Sequence, residues 1–246
     1  MKRFIFIVFL NLLIISVCYA NATKEKHYTD QVIPPGAQVE ETDEHNNPVT
    51  YEQADISVLM EKGMSSTLMT EVKDALSYFK PEILQQFNED GWKIMLVSTV
   101  DFSDSDYEGD SDFYPQWTVG FTNYNTKIIQ IKDIGVPGHV RLKLLHEMSH
   151  YVDKYYDFAS YSDDFKALYE KYKDTYIEYE YVGVKETKEN EKDIKYASSC
   201  EPEFFASAYK DYIYHPDFFE EEYKELFDFF AAMEKEKEMQ LIKEEQ

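Results

Sequence analysis

The apolar positions of this 246-residue chain fall into segments whose spacing changes along its length. Phe4–Val17 is an apolar run broken only by Asn11 and Ser16. Thr23–Ala54 shows no periodicity. Its Pro34-Pro35-Gly36, its acidic run and its Asn46-Asn47-Pro48 predict a flexible, extended arm. From Asp55 to Phe79 apolar residues recur at Val58, Leu59, Leu68, Val72, Leu76 and Phe79, which reads as helical. Pro81–Phe87 continues the helical reading until Asp90-Gly91 breaks it. Trp92–Thr99 predicts a strand. Gln116–Thr122 and Lys127–Lys132, joined around Asn123-Tyr124-Asn125, predict a β-hairpin whose second strand is rich in β-branched residues.

After Pro137-Gly138 the period becomes helical again. Val140, Leu144, Leu145, Met148 and Val152 recur at three- and four-residue spacings, as in a helix buried on one side. Asp163–Glu178 predicts one amphipathic helix and Val182–Lys195 a polar loop. Glu203–Tyr214 predicts a helix ended by His215-Pro216, and Phe218–Gln246 a final helix with a charged tail. The order predicts an α+β fold, with a small mixed sheet followed by a mainly helical C-terminal half.

The helix around residues 140–152 carries His146-Glu147-Met148-Ser149-His150, an H-E-x-x-H pattern. Residues four apart share a helix face, so His146 and His150 can both offer a ring nitrogen to one metal ion. Glu147 lies about 100° further round. That angle makes it a poor ligand and a well-placed base for a water activated by the metal. A catalytic zinc site needs a third protein ligand and keeps a position open. The variant with Gly and His three and six residues past the second His is excluded, because those positions are Asp153 and Tyr156. His215 is a candidate, although it sits at a helix end beside Pro216. Glu201 and Glu203 are the stronger pair. They stand about 200° apart on a helix, so only one can face the metal. Ala206 and Ser207, one turn beyond Glu203, would allow close helix approach, whereas Glu201 beside Pro202 suits a first-turn acid stabilised by the helix dipole. The spacing favours Glu203 without excluding Glu201.

Composition changes the picture at three points. Lys2-Arg3, the apolar run and Ala20-Asn21-Ala22 predict a secretory signal over residues 1–22, cleaved after Ala22 or Ala20. A flexible arm over residues 23–56 and one domain over residues 57–246 would follow. The formal charge of −23 becomes −25 without Lys2 and Arg3, a field that repels nucleic acid and anionic lipid surfaces. No membrane association is expected once the signal is removed. Only Cys200 would remain, so no internal disulfide can form, and the 21 Tyr and 17 Phe must supply much of the core. Asp101–Pro115 is acidic but lacks the regular EF-hand spacing of calcium ligands.

The segment Tyr196-Ala-Ser-Ser-Cys-Glu-Pro-Glu203-Phe-Phe-Ala206-Ser-Ala-Tyr209 resembles the metal-site segment of the anthrax lethal factor catalytic domain. It also resembles the small secreted Pro-Pro endopeptidases that share that domain. Thr118–Asn125 is similar to the family's edge-strand region, and the resemblance spans roughly residues 92–214. Pro202 before the candidate ligand, and Met148-Ser149 within the metal motif, depart from the pattern without removing a catalytic group. The resemblance implies a zincin-type metallopeptidase domain, with one zinc ion held by His146, His150 and Glu203. It implies Glu147 as the base and Tyr196, seven residues before Glu203, as the catalytic tyrosine. The expected activity is that of a secreted endopeptidase acting on proline-containing sites in extracellular or cell-surface proteins. Two alternatives are a toxin-type protease delivered to a host protein by a partner, and a non-catalytic binding module. The intact set of five residues argues against the latter.

Overall fold

The computed structural model describes residues 28–33, 56–102, 118–185, 187 and 191–244. The apolar run over residues 1–22, and nearly all of the acidic loop, lie outside them. Ile56-Ser57-Val58-Leu59-Met60-Glu61 alternates, and the fold obeys that alternation: Ile56, Val58 and Met60 are buried while the residues between them are half-buried. This segment is strand β2 (Ile56–Glu61), not the start of a helix as the wider periodicity predicted. A period of two over six residues outweighs a sparse helical match. Tyr28–Ile33, within the expected arm, forms β1 and pairs antiparallel with β2.

Two helices, α1 (Leu68–Leu76) and α2 (Pro81–Glu89), then carry the chain to β3 (Lys93–Val97), which runs parallel to β2. The predicted hairpin is present as β4 (Gly120–Asn123) and β5 (Ile128–Lys132), antiparallel to each other. Asn123 shapes its turn by accepting hydrogen bonds from the backbone N–H groups of Asn125 and Thr126, at 3.0 and 3.1 Å. β5 lies parallel to β3, which gives a mixed sheet of order β1-β2-β3-β5-β4 among the described residues, with β4 at one edge.

Helix α3 (His139–Tyr155) packs on β4 and β5, on α1 and on the later helix α6. Its start is held from outside itself. Gly138 adopts φ 79°, and the Glu71 carboxylate of α1 accepts from the N–H groups of Gly138 (2.9 Å) and Arg141 (3.3 Å). Every residue from Leu144 to Asp153 is buried. The sequence predicted one buried side, but elements on several sides enclose the helix and draw its polar face inward as well.

Beyond α3 the described chain is mainly helical: α4 (Asp163–Tyr172), α5 (Glu191–Tyr196), α6 (Glu201–Tyr214), α7 (Pro216–Glu222) and α8 (Lys224–Glu244). α4 ends six residues before Glu178, and that residue enters the interior instead of continuing a helix. Tyr223 interrupts the predicted last helix, giving α7 and α8. No helix among the described residues is long and apolar enough to cross a membrane. Phe165 of α4 is fully buried and holds this half together. Its ring lies 5.7 Å from Phe204, 5.3 Å from Phe205 and 5.3 Å from Phe229. Phe165→Ala is expected to cost about 3–5 kcal/mol in urea unfolding, because rings on three sides cannot collapse into the cavity. A loss below about 1 kcal/mol would show that this half does not depend on the aromatic cluster.

Candidate metal centre and active site

α3 and α6 build the centre between them. His146 and His150 leave α3 on one face, with ring centroids 5.0 Å apart and planes at 87°. Glu203, in the first turn of α6, points one carboxylate oxygen at both rings. Its Oε2 lies 3.1 Å from His146 Nε2 and 3.5 Å from His150 Nε2. α6 comes this close because Ala206, Ser207 and Ala208 are small and fully buried. Cys200 precedes the helix with an extended backbone, and Pro202 sits in its first turn, where the missing N–H costs nothing.

The two nitrogens and the carboxylate oxygen all lie within 4.8 Å of one another. Two imidazoles and one carboxylate match the nitrogen and oxygen preferences of zinc. Of the two neighbouring glutamates, the structure brings Glu203 to the histidines and leaves Glu201 outside their cluster. His215 is elsewhere, stacked on Tyr179 with centroids 3.6 Å apart.

Electrostatics within the cluster follow from burial and pairing. Burial disfavours a charged His150, but the Glu203 carboxylate outweighs it and pushes the imidazole up to about 9. Burial likewise opposes ionisation of Glu203, yet His150 and His146 hold its carboxyl well below the usual range. The site therefore selects a positive charge beside Glu203, which a metal ion or a proton can supply.

Glu147 is placed by the sheet edge. Thr122 Oγ1 donates toward Glu147 Oε2 at 2.7 Å and lies 3.0 Å from the Glu147 backbone oxygen. Gly120 leaves room for the same side chain, since a Cβ there would stand 2.9 Å from Glu147 Cδ. Tyr196, at the end of α5, is 52% exposed, with its ring 6.2 Å from that of His146. Burial of its hydroxyl end, and the Glu203 and Glu147 charges, push this phenol well above its ordinary value, so it stays a donor. The structure thus gathers His146, His150 and Glu203 within 4.8 Å, with the Tyr196 ring 6.2 Å from that of His146 and Glu147 held by Thr122 on the same helix as the two histidines. Cys200 is half-buried, and burial raises its thiol above the ordinary value, which suits a packed group and not a nucleophile.

Four contributors escaped the sequence reading. Gly120 inside a strand pattern was a readable sign of close approach. Thr122 and Glu178 carried no local signal. Lys210, beside Asp211 in a mostly apolar stretch of α6, was readable as a buried cation needing acidic partners.

No protein-family model and no curated protein matches the chain. Its fold is similar to the structure of a Pro-Pro endopeptidase, PPEP-2, from Paenibacillus alvei, with a TM-score of 0.51 and 19% identity. The likeness covers 72% of this chain and 96% of that one. At that identity it establishes a shared α+β architecture, with a small mixed sheet and a mostly helical C-terminal half.

The pairing sets a pH dependence for the metal-free protein. Folded His150 titrates at about 9 against an ordinary value of 6.5, so the folded state holds that proton more tightly. This contribution to stability is complete below pH 6.5 and is lost as pH rises through about 9. Melting temperatures of the metal-free protein should fall across that window more steeply than those of His150→Gln. Equal slopes would contradict the pairing.

Proposed function

We propose that the chain is a secreted zinc-dependent endopeptidase that cleaves extracellular or cell-surface proteins at proline-containing sites. The observation that carries the reading is the meeting of His146, His150 and Glu203 within 4.8 Å, with Glu147 held at 2.7 Å by Thr122 beside them. His146, His150 and Glu203 would hold the zinc. When bound, zinc supplies a Lewis acid that makes water a nucleophile at neutral pH.

The remaining steps belong to the chain's own groups. Glu147 takes a proton from the attacking water and returns it to the leaving amine. The hydrogen bond from Thr122 keeps the Glu147 carboxylate aimed, and Gly120 leaves it room. Tyr196 donates a hydrogen bond to the carbonyl oxygen as negative charge develops there. Among the described residues β4 is a sheet edge packed on α3, so an extended peptide can add to it as a further strand. Export rests on the pattern of residues 1–22. The proline preference rests on the sequence resemblance and on the shared architecture with a Pro-Pro endopeptidase.

The roles separate under mutation. Glu147→Ala should keep about one zinc per chain and lose about 10²–10⁴-fold in turnover, because the base is not a ligand. Glu203→Ala should lose zinc affinity by orders of magnitude and activity with it. Glu201→Ala should keep both. Metal content and peptidase assays of the three variants check this, and a fully active Glu147→Ala protein would refute the mechanism.

Substrate choice has its own test. A proline-fixed backbone loses less entropy on docking as a strand. A peptide library should therefore show cleavage next to proline, and replacing those prolines by alanine should lower kcat/KM. Equal cleavage of both peptide sets would exclude proline recognition.

A further inference from the structure

His146 faces Glu203 through Nε2, which leaves its other ring nitrogen to be accounted for. Nδ1 lies 3.3 Å from Ser207 Oγ. The same hydroxyl lies 3.3 Å from Glu178 Oε1. The second Glu178 oxygen accepts a hydrogen bond from Lys210 Nζ. All four side chains are buried, with Ser207 at 0% and Lys210 at 3% exposure. Lys210 also pairs with Glu180 at 2.8 Å and stands 3.8 Å from Asp211 Oδ1. Asp211 is anchored separately, by the Tyr176 hydroxyl at 2.8 Å and the Tyr179 N–H at 3.0 Å.

Chemistry fixes the direction of this chain of contacts. An ammonium has only donors, and a carboxylate paired with it only accepts. The proton between Ser207 and Glu178 must therefore be the hydroxyl's own. Ser207 has a single proton. With that proton directed to Glu178, its oxygen can only accept from His146, so the ring must carry hydrogen on Nδ1, and in the neutral ring this leaves Nε2 free to bind a metal. Glu203, Ser207 and Lys210 stand at i, i+4 and i+7 on α6, so one helix face supplies the candidate ligand, the hydroxyl and the cation. Glu178 arrives from the turn just before residues 179–181.

We propose that Ser207, Glu178 and Lys210 act as a positioning relay that fixes His146 with its proton on Nδ1 and its Nε2 toward the metal. The inference rests on the reading of His146 as a zinc ligand. Outer partners of this type commonly contribute about 10–100-fold to metal affinity. A purely structural role predicts something different: the Lys210–Glu178 pair would pin the turn before α5 to α6, and the Ser207 hydroxyl would be dispensable.

Ser207→Ala discriminates, because it removes the hydroxyl and leaves the Lys210–Glu178 pair in place. Zinc alone is titrated into the full chain against a chromophoric chelator, and the His146 Nδ1–H proton is followed by NMR in the zinc-loaded protein. Ser207→Ala should weaken zinc binding by about 10–100-fold. The Nδ1–H resonance should move upfield and exchange faster with water. Zinc binding as tight as in the unchanged chain, or an unmoved Nδ1–H resonance, would overturn the relay while leaving the zinc reading intact. Absence of zinc binding by the unchanged chain would overturn the zinc reading and the relay with it.

Discussion

A carboxylate buried between two imidazoles strongly favours a positive charge among them. Burying these groups uncompensated would cost several kcal/mol each. Here the burial is enforced by packing. α3 is enclosed from Leu144 to Asp153, so the polar face of its H-E-x-x-H turn keeps little contact with solvent. Glu203 enters the same space from α6 and is 3.1 Å from His146. A proton on His150 satisfies the cluster when no metal is bound. A divalent cation would satisfy it with three donors at once and would displace that proton.

The rest of the fold divides the work of holding this point. The helices fix the donors: small residues on α6 bring Glu203 in, and the buried Lys210 gathers Glu178 and Glu180 behind His146. The sheet fixes Glu147. Thr122 and Gly120 both belong to β4, and both act on Glu147, so one strand sets where this carboxylate lies. At the far end of α3, Asp153 accepts from the Ser160 N–H and hydroxyl at 2.8 and 2.6 Å, which secures the chain's exit from the helix. Packing around α3 and α6 therefore sets the geometry of His146, His150 and Glu203.

Much of this was legible in the sequence, for identifiable reasons. His146, Glu147 and His150 sit within one helical turn and a half, where spacing alone sets geometry. The β4–β5 hairpin announced itself through β-branched residues and an Asn-rich turn. Between Glu203 and Glu201, helix phase and the small residues one turn later only favoured Glu203, and the family resemblance made the choice. Other features depended on distant segments. Ile56–Glu61 was absorbed into a helical pattern because β1 and β3, its partners on either side, are invisible locally. Glu178 looked like the end of an amphipathic helix, and only the tertiary fold brings it to Ser207 and Lys210, 29 and 32 residues later. The full burial of α3 was hidden for the same reason, since a sequence shows the apolar stripe of a helix and not the number of elements packed around it.

We propose that His146, His150 and Glu203 together hold a zinc ion with no contribution from the thiol of Cys200. X-ray absorption at the zinc edge reads this directly on the zinc-loaded full chain. The account predicts two imidazole nitrogens at about 2.0–2.1 Å and carboxylate or water oxygen at about 2.0–2.2 Å, with no sulfur shell. Those imidazole features should drop to one in His150→Ala and be unaffected in Glu201→Ala. A sulfur shell at about 2.3 Å, or a spectrum lacking imidazole scattering, would contradict it.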